Sequence, residues 1–417
     1  MRHSLGTIIL KRTHFEKHSD FNNRIENRRK VFDDEIYIKM KALNYPLVKA
    51  TDVVKEDFEY RGAKVETKGM RIEPFKLDNT HPYWHDKPCL IYKDNNVLIE
   101  GFKQAQVLTN SVVIEEGLPK KYESLYDSVS IDKENELIQM ALASALVYDS
   151  TQKLLPIKKD LERPAWKFPR DYGITDYRKN YILCNRFLHL CELIAGLKLS
   201  QDRYTFEDAY FSVPLLRDED LLQLQMRADL LLLSKESLPP LCSPDVTVRT
   251  ELPDMFPMKC TISINEENLY KIENIYPVNR STIFNKVHTA IIHFNETEVK
   301  NVYKTPVLET QTIGRSLMKA FAITAAQARY LYGEDVQVLP EPVVLQCIQT
   351  DAKYFHFSVF QLNTLAWPSK TDEIRNIFWS DSIIPAYEFG GYFEGRPTIT
   401  SYNPEVFKKF LAFYMNY

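Results

Sequence analysis

Histidines, cysteines and carboxylates at ligand-like spacing are where chemistry would begin in this chain, and three groups qualify. His81, His85 and Cys89 follow one another at four-residue intervals, a set that could bring two imidazoles and a thiolate to a zinc ion. Pro82 and Pro88 break any regular helical face through them, and no fourth protein ligand follows at a matching spacing, so incidental loop residues are the stronger reading. His356, between Phe355 and Phe357 and close to Asp351, has the side chain of a general base near neutral pH. In a strand its neighbours point to the opposite face, and no Ser, Cys or Lys nucleophile is placed by spacing; it reads as a half-buried sheet histidine. Asp254, Glu298 and Lys300 are the residue types of a metal-dependent nuclease, carboxylates for the ion and a lysine for the attacking water. Three common residues at a long, unconstrained spacing are better read as surface charge.

Other catalytic signatures are missing. Phosphate-cradling loops need glycine where the backbone approaches the anion, yet the chain has 12 glycines and neither G-x-x-x-x-G-K nor G-x-G-x-x-G. Neither a G-x-S-x-G elbow nor an H-E-x-x-H helix occurs. No catalytic, cofactor-binding or metal-binding residue is therefore assigned, and the chain reads as a non-enzyme without cofactor or small-molecule substrate. The alternative is a degenerate metal-dependent hydrolase using His81, His85 and Cys89 or the carboxylates near Glu298. The six cysteines, at 89, 184, 191, 242, 260 and 347, include no C-x-x-C pair and read as reduced, mostly buried thiols. Cys184 and Cys191 share one helical face, as core residues would.

The elements that must position these residues follow from pattern. With 417 residues, 44% hydrophobic and 26% charged, the chain can bury one large or two modest cores. No run approaches the roughly 18 consecutive apolar residues of a membrane span, so a soluble protein is expected. Residues 1–30 read as a mitochondrial presequence or a basic N-terminal arm, and 31–96, rich in proline and aromatics, as an extended arm. Residues 97–210 are mainly helical: 97–109, then 130–148 with Asp132 as cap and Leu137, Met140 and Leu146 on related faces, then 175–196 with the stripe Tyr181, Cys184, Leu188, Cys191, Ala195 and a stop at Gly196.

Residues 211–417 turn to α+β. Leu222, Leu224, Met226, Ala228 and Leu230 alternate with polar residues, a strand with one face on a core. Further strands are expected at 260–264 and 287–294, a helix at 316–332 ended by Gly333, and a hairpin of 343–348 and 354–362 around a turn at 350–353. Asn403 and Pro404 start a last helix whose Phe407, Phe410, Leu411 and Tyr414 must dock on something apolar. The fold class expected is α+β: a mixed sheet with packed helices, an extended N-terminal arm and a C-terminal docking helix.

Net charge is −3, but it is unevenly placed: residues 1–30 hold eight Lys or Arg against three acids, so the rest sums to −8. A second basic run, 153–170, holds six basic residues against two acids. Trp166 and Phe168 interleave those charges, and prolines 156, 164 and 169 keep the run from being a helix. Lys158, Lys159, Arg163, Trp166, Lys167 and Arg170 together offer phosphate-neutralising and stacking groups to RNA; a solvated surface loop is the competing reading.

Two long runs in the last third carry a resemblance: Ala326-Gln327-Ala328-Arg329-Tyr330-Leu331-Tyr332-Gly333 with Pro342-Val343-Val344-Leu345-Gln346, and Phe355-His356-Phe357-Ser358-Val359-Phe360-Gln361-Leu362-Asn363-Thr364. With the end from Pro404 to Tyr414, and the shorter Glu100-Gly101-Phe102-Lys103-Gln104-Ala105 and Glu116-Gly117-Leu118-Pro119, they resemble a family of mitochondrial ribosomal proteins. That family contains protein 37 of the large subunit and a relative named as small-subunit protein 30, once linked to programmed cell death. The resemblance implies a structural protein imported into the matrix and built into the mitochondrial large ribosomal subunit. Its expected partners are ribosomal proteins and, locally, ribosomal RNA.

Overall fold

The computed structural model describes residues 38–44, 76–131, 133–157, 163, 169–217, 219–296, 298–302, 305–367, 374–394 and 396–417. The chain divides into a unit Met1–Phe75, in which residues 38–42 form a short exposed helix, and a unit Lys76–Tyr417. In chain order the second unit runs β1 (Trp84–Lys93), α1 (Gly101–Thr109), β2 (Ser111–Val112), α2 (Lys120–Ser128), α3 (Asn135–Leu146), β3 (Lys153–Leu154), β4 (Tyr172–Gly173), α4 (Asp176–Ala195), α5 (Leu197–Ser200), β5 (Arg203–Arg217), β6 (Asp220–Ser234), β7 (Asn265–Leu269), β8 (Lys286–His293), α6 (Glu309–Tyr332), β9 (Val338–Thr350), β10 (Tyr354–Thr364), β11 (Asn376–Ser380), β12 (Ile384–Pro385), β13 (Phe389–Phe393), β14 (Arg396–Thr400) and α7 (Pro404–Met415).

β6 is the hub of a mixed sheet, as its alternation predicts. Leu222, Leu224, Ala228 and Leu230 are fully buried, while Arg227 points to water. Its whole length pairs antiparallel with β5; its other edge takes β1 in parallel near Leu222 and β8 antiparallel near Leu230. From β8 the sheet continues through a parallel β9, the hairpin β9–β10, and β11, which pairs in parallel with β2. The hairpin turn is held by Asp351, whose carboxylate accepts from Lys353 N (2.9 Å) and Tyr354 N (2.6 Å) while Ala352 takes φ 72°.

Both faces of this sheet are apolar. In β10, Phe360 and Leu362 pack on the side of α1 and α6, and Phe355, Phe357 and Val359 on the side of α2, α3, α4 and α7. The helices of residues 97–210 therefore bury their faces on strands supplied by the second half, and the expected regions belong to one unit. Residues 84–93, expected within an extended arm, form β1 between β6 and β7.

Three local expectations need correction. Residues 260–264 are turn, not strand: Ser263 takes φ 64°, and the Gln104 amide donates to the carbonyls of Cys260 (2.7 Å) and Ile262 (2.9 Å) that a ladder would have used. The buried stripe of α3 is Ile138, Ala141, Leu142, Ala145 and Leu146, leaving Leu137 and Met140 exposed; the expected cap Asp132 lies outside the described residues. α6 begins seven residues before the expected start, because Gln311 Oε1 accepts from Leu308 N (3.0 Å) and closes the first turn.

α1 and α6 meet backbone to backbone. Gly101 adopts φ +56°, and a Cβ added at Gly314 would lie 2.8 Å from the Gly101 carbonyl carbon. Helix propensity alone makes Gly314→Ala stabilising by about 1 kcal/mol. The close approach predicts the opposite sign, a loss of about 2 kcal/mol or more in a urea titration of the full chain. A stabilised Gly314→Ala variant would contradict this packing.

Candidate functional site

At the start of the basic run Lys153 and Leu154 form a small ladder with Tyr172 and Gly173. β3 pairs with β4 through Lys153 and Gly173, and Arg170 closes the ladder by donating from Nε to Leu155 O (2.7 Å) and from a terminal nitrogen to Leu154 O (3.2 Å). The Asp149–Arg178 ion pair ties the end of the α3 segment to α4 just beneath. Lys153, Arg163 and Arg170 are exposed. Lys158, Lys159, Trp166 and Lys167 lie outside the described residues. Of the candidate RNA contacts, Arg170 is already engaged within the chain, where its guanidinium ties the loop to the carbonyls of Leu154 and Leu155.

The apolar face of α7 docks within the chain. Asn403 caps it by accepting from Glu405 N (3.1 Å), and Phe407, Phe410, Leu411 and Tyr414 are at most 2% exposed. Phe187 of α4 meets Phe407 and Phe410 edge-on, at 5.1 and 5.6 Å between ring centroids. The following turn is clasped by hydrogen bonds: Asn416 Nδ2 donates to Tyr122 Oη and Gln346 Oε1 (2.9 Å each), and Asn416 O accepts from Arg203 (2.7 Å) and His288 (3.0 Å). The four aromatic and leucine side chains of α7 are thus occupied by the chain's own core.

Sequence reasoning missed a charged cluster under the sheet. Lys319 is wholly buried in α6; its ammonium pairs with Asp94 and donates to Arg227 O (2.7 Å). One turn earlier Arg315 donates to Gln349 Oε1 (3.1 Å) and lies 3.8 Å from the second Asp94 oxygen. Burial alone would raise the Asp94 pKa, but the two cations outweigh it and hold the carboxyl below its usual range. Burial and the neighbouring Arg315 both push Lys319 down. Two basic residues four apart within the mostly apolar stretch 313–326 of that helix were the available signal. The cluster spends its donors on protein acceptors, and so ties β1 to α6.

The constellation nearest to catalysis is His356, which shares hydrogen bonds with Ser380 Oγ (2.8 Å) and Ser316 Oγ (3.2 Å). The ring is 1% exposed, and burial pushes it down to about 4, leaving it a weak base oriented by a neutral hydroxyl rather than a carboxylate. The other candidates are not brought together. His81 Nδ1 accepts from Tyr83 N (3.1 Å), His85 stacks on Tyr270 at 4.2 Å, and Cys89 is buried in β1, where burial raises its thiol to about 11. Asp254 accepts from Phe256 N (2.8 Å), and Lys300 N bonds Asn95 O (3.0 Å). Among the described residues no three His, Cys, Asp or Glu converge on a metal-sized space, and no helix is long and apolar enough to cross a membrane.

The buried groups make stability sensitive to charge and to pH. Asp94→Asn leaves two buried cations short of a counter-charge and is expected to destabilise the fold by about 3 kcal/mol or more; a loss below about 0.5 kcal/mol would show the cluster to be solvated. Burial also lowers His288, to about 3. Between these folded values and the ordinary 6.5 the unfolded chain binds protons that the folded chain refuses, so stability rises with pH up to about 6.5 and levels off. Urea midpoints should fall from pH 7 to pH 5, and less so in His356→Asn; equal midpoints at both pH values would contradict the buried, neutral rings.

Known proteins are similar to this chain over most of its length. A family model described as mitochondrial 28S ribosomal protein S30 (PDCD9) matches residues 285–417, from β8 through α7. The large ribosomal subunit protein mL37 of Rattus norvegicus is 29% identical over 353 residues, covering 80% of this chain and 77% of its own. That of Gallus gallus is 28% identical over 351 residues, covering 80% and 76%, and that of Bos taurus 28% over 367 residues, covering 84% and 79%. The chain is similar to the mL37 proteins over about four-fifths of its length, and its residues 285–417 match the family model described as mitochondrial 28S ribosomal protein S30 (PDCD9).

Proposed function

We propose that this chain is a structural constituent of the mitochondrial large ribosomal subunit, resident in the matrix and supporting mitochondrial translation without an active site of its own. The observation that carries this is the likeness to mL37 proteins over four-fifths of the chain and about three-quarters of theirs. The geometry is in keeping with it: polar groups that could do chemistry are consumed inside the fold, as in a scaffold. The basic residues 1–30 serve as import signal, and contact with ribosomal proteins outweighs contact with RNA, since the chain beyond residue 30 sums to −8. RNA is met locally at the loop of Lys158, Lys159, Arg163, Trp166, Lys167 and Arg170. The hydrolase reading has no observation in its favour.

Tagged full-length protein from a matrix lysate should sediment with the large subunit; migration only as a free species, with the subunit intact, would refute the assignment. Replacing Lys158, Lys159, Arg163 and Lys167 with Gln should weaken retention on the subunit and flatten its dependence on salt, because each lost phosphate contact releases one fewer counterion. Arg170 is left in place because it bonds Leu154 O and Leu155 O and so closes the β3–β4 ladder. Identical salt profiles would place the loop away from RNA.

A further inference from the structure

α2 and α7 lie side by side, and a groove of about 350 Å³ runs where they meet the chain just past β11. Its floor is apolar. Tyr122, Ala412 and Phe413 are at most 2% exposed, and the half-buried Leu118 lines it beside them. The floor is fixed from behind, because Tyr122 Oη accepts from Asn416 Nδ2 (2.9 Å) while Phe413 meets Phe357 edge-on at 5.3 Å between ring centroids. Tyr126 forms a wall, and the fold already sets one ammonium on that ring: Lys408 Nζ stands 4.1 Å from its centroid.

The charges that line the groove select its occupant. They are Glu123, Asp127, Asp381 and Lys409. Lys409 is spent on Asp381, in an ion pair with both side chains mostly buried. Glu123 and Asp127 are exposed and have no ion partner among the described residues; four apart on α2, they stand on one face of the helix. Just outside, Glu405 and Lys408 act on Tyr126 with opposite signs, and Lys121 donates to Tyr417 O (2.8 Å). Two unpaired carboxylates therefore stand over an apolar, aromatic floor. Phosphate is repelled there, and a purely apolar segment would desolvate both carboxylates without a partner. A long basic side chain meets both demands, since its aliphatic stem covers Leu118 and Ala412 while its cationic head reaches Glu123 and Asp127. We infer that the α2–α7 groove seats a Lys or Arg side chain from a basic segment of a neighbouring ribosomal protein. This rests on the ribosomal reading.

Benzoylphenylalanine placed at Leu118 or, separately, at Tyr126 of the full-length protein tests it. Large subunits are first purified on a gradient and checked for the protein, then irradiated, and the linked peptides are sequenced. The expected product at both positions is an adduct with the same ribosomal protein, through a segment bearing Lys or Arg within a few residues of the link. Adding Glu123→Lys and Asp127→Lys, both at exposed positions, should cut the yield per copy of the protein several-fold while leaving the unfolding midpoint near that of the parent. The neutral pair Glu123→Gln and Asp127→Asn should cut it less. Adducts to RNA, to residues 1–75 of the same chain or to a second copy, an absence of adducts in subunits that hold the protein, a linked segment without basic residues, or a yield unmoved by charge reversal would each overturn the inference. Absence of the protein from the subunits before irradiation would instead bring down the ribosomal reading on which it rests.

Discussion

The pairing of Asp94 with Lys319 and Arg315 is the constraint on which the architecture turns. α6 is buried along most of its length, from Gln311 to Ala328, so two long cations in its middle have no route to water. An ion pair at such depth contributes little net stability over apolar residues of similar volume, yet losing one member costs several kcal/mol. Its effect is positional. Asp94 lies just past β1, Gln349 is on β9 and Arg227 O on β6, so the register of three strands is referred to one helix. The glycine crossing at Gly101 and Gly314 then brings α1 against the same helix, and the sheet acquires its second face.

With that layer set, the other face is built from the chain's two ends of helical sequence. α4 and α7 interlock through Phe187, Phe407 and Phe410 on the strand residues Phe355 and Phe357. Buried histidines and glutamines there bond one another and the backbone instead of opening into a cleft. Exposed apolar residues sit on α3 and on the β13–β14 hairpin.

Local patterns carried much of this fold in plain view. The β9–β10 hairpin, the α7 cap at Asn403 and Pro404, and the stop of α4 at Gly196 depend on neighbouring residues, and the structure has them where turn and cap chemistry put them; of the expected α4 stripe Cys184, Leu188 and Cys191 are buried, while Tyr181 and Ala195 are only half-buried and Phe187 takes the central place. What pattern could not reach was non-local. The parallel insertion of β1 beside β6 pairs residues more than a hundred positions apart, and no local periodicity encodes it. The outward stripe of Leu137 and Met140 looks like core by pattern, yet both side chains are exposed. Likewise Phe407, Phe410, Leu411 and Tyr414 look like a docking face, and burial in the chain's own core follows only once α4 and β10 are known. Of the candidate site, the sequence made the basic loop legible through charge and proline, while the Asp94 cluster depends on a contact between segments 225 residues apart, Asp94 with Lys319.

The most direct measurement is the copy number of this protein in mitochondrial large subunits purified from its own source at high salt, counted by mass spectrometry against isotope-labelled peptides from β6 and α6. A built-in structural constituent held largely by protein contacts gives about one copy per subunit, retained as salt rises. Substoichiometric occupancy that washes out with salt would contradict it, and would describe instead a peripheral factor held by charge.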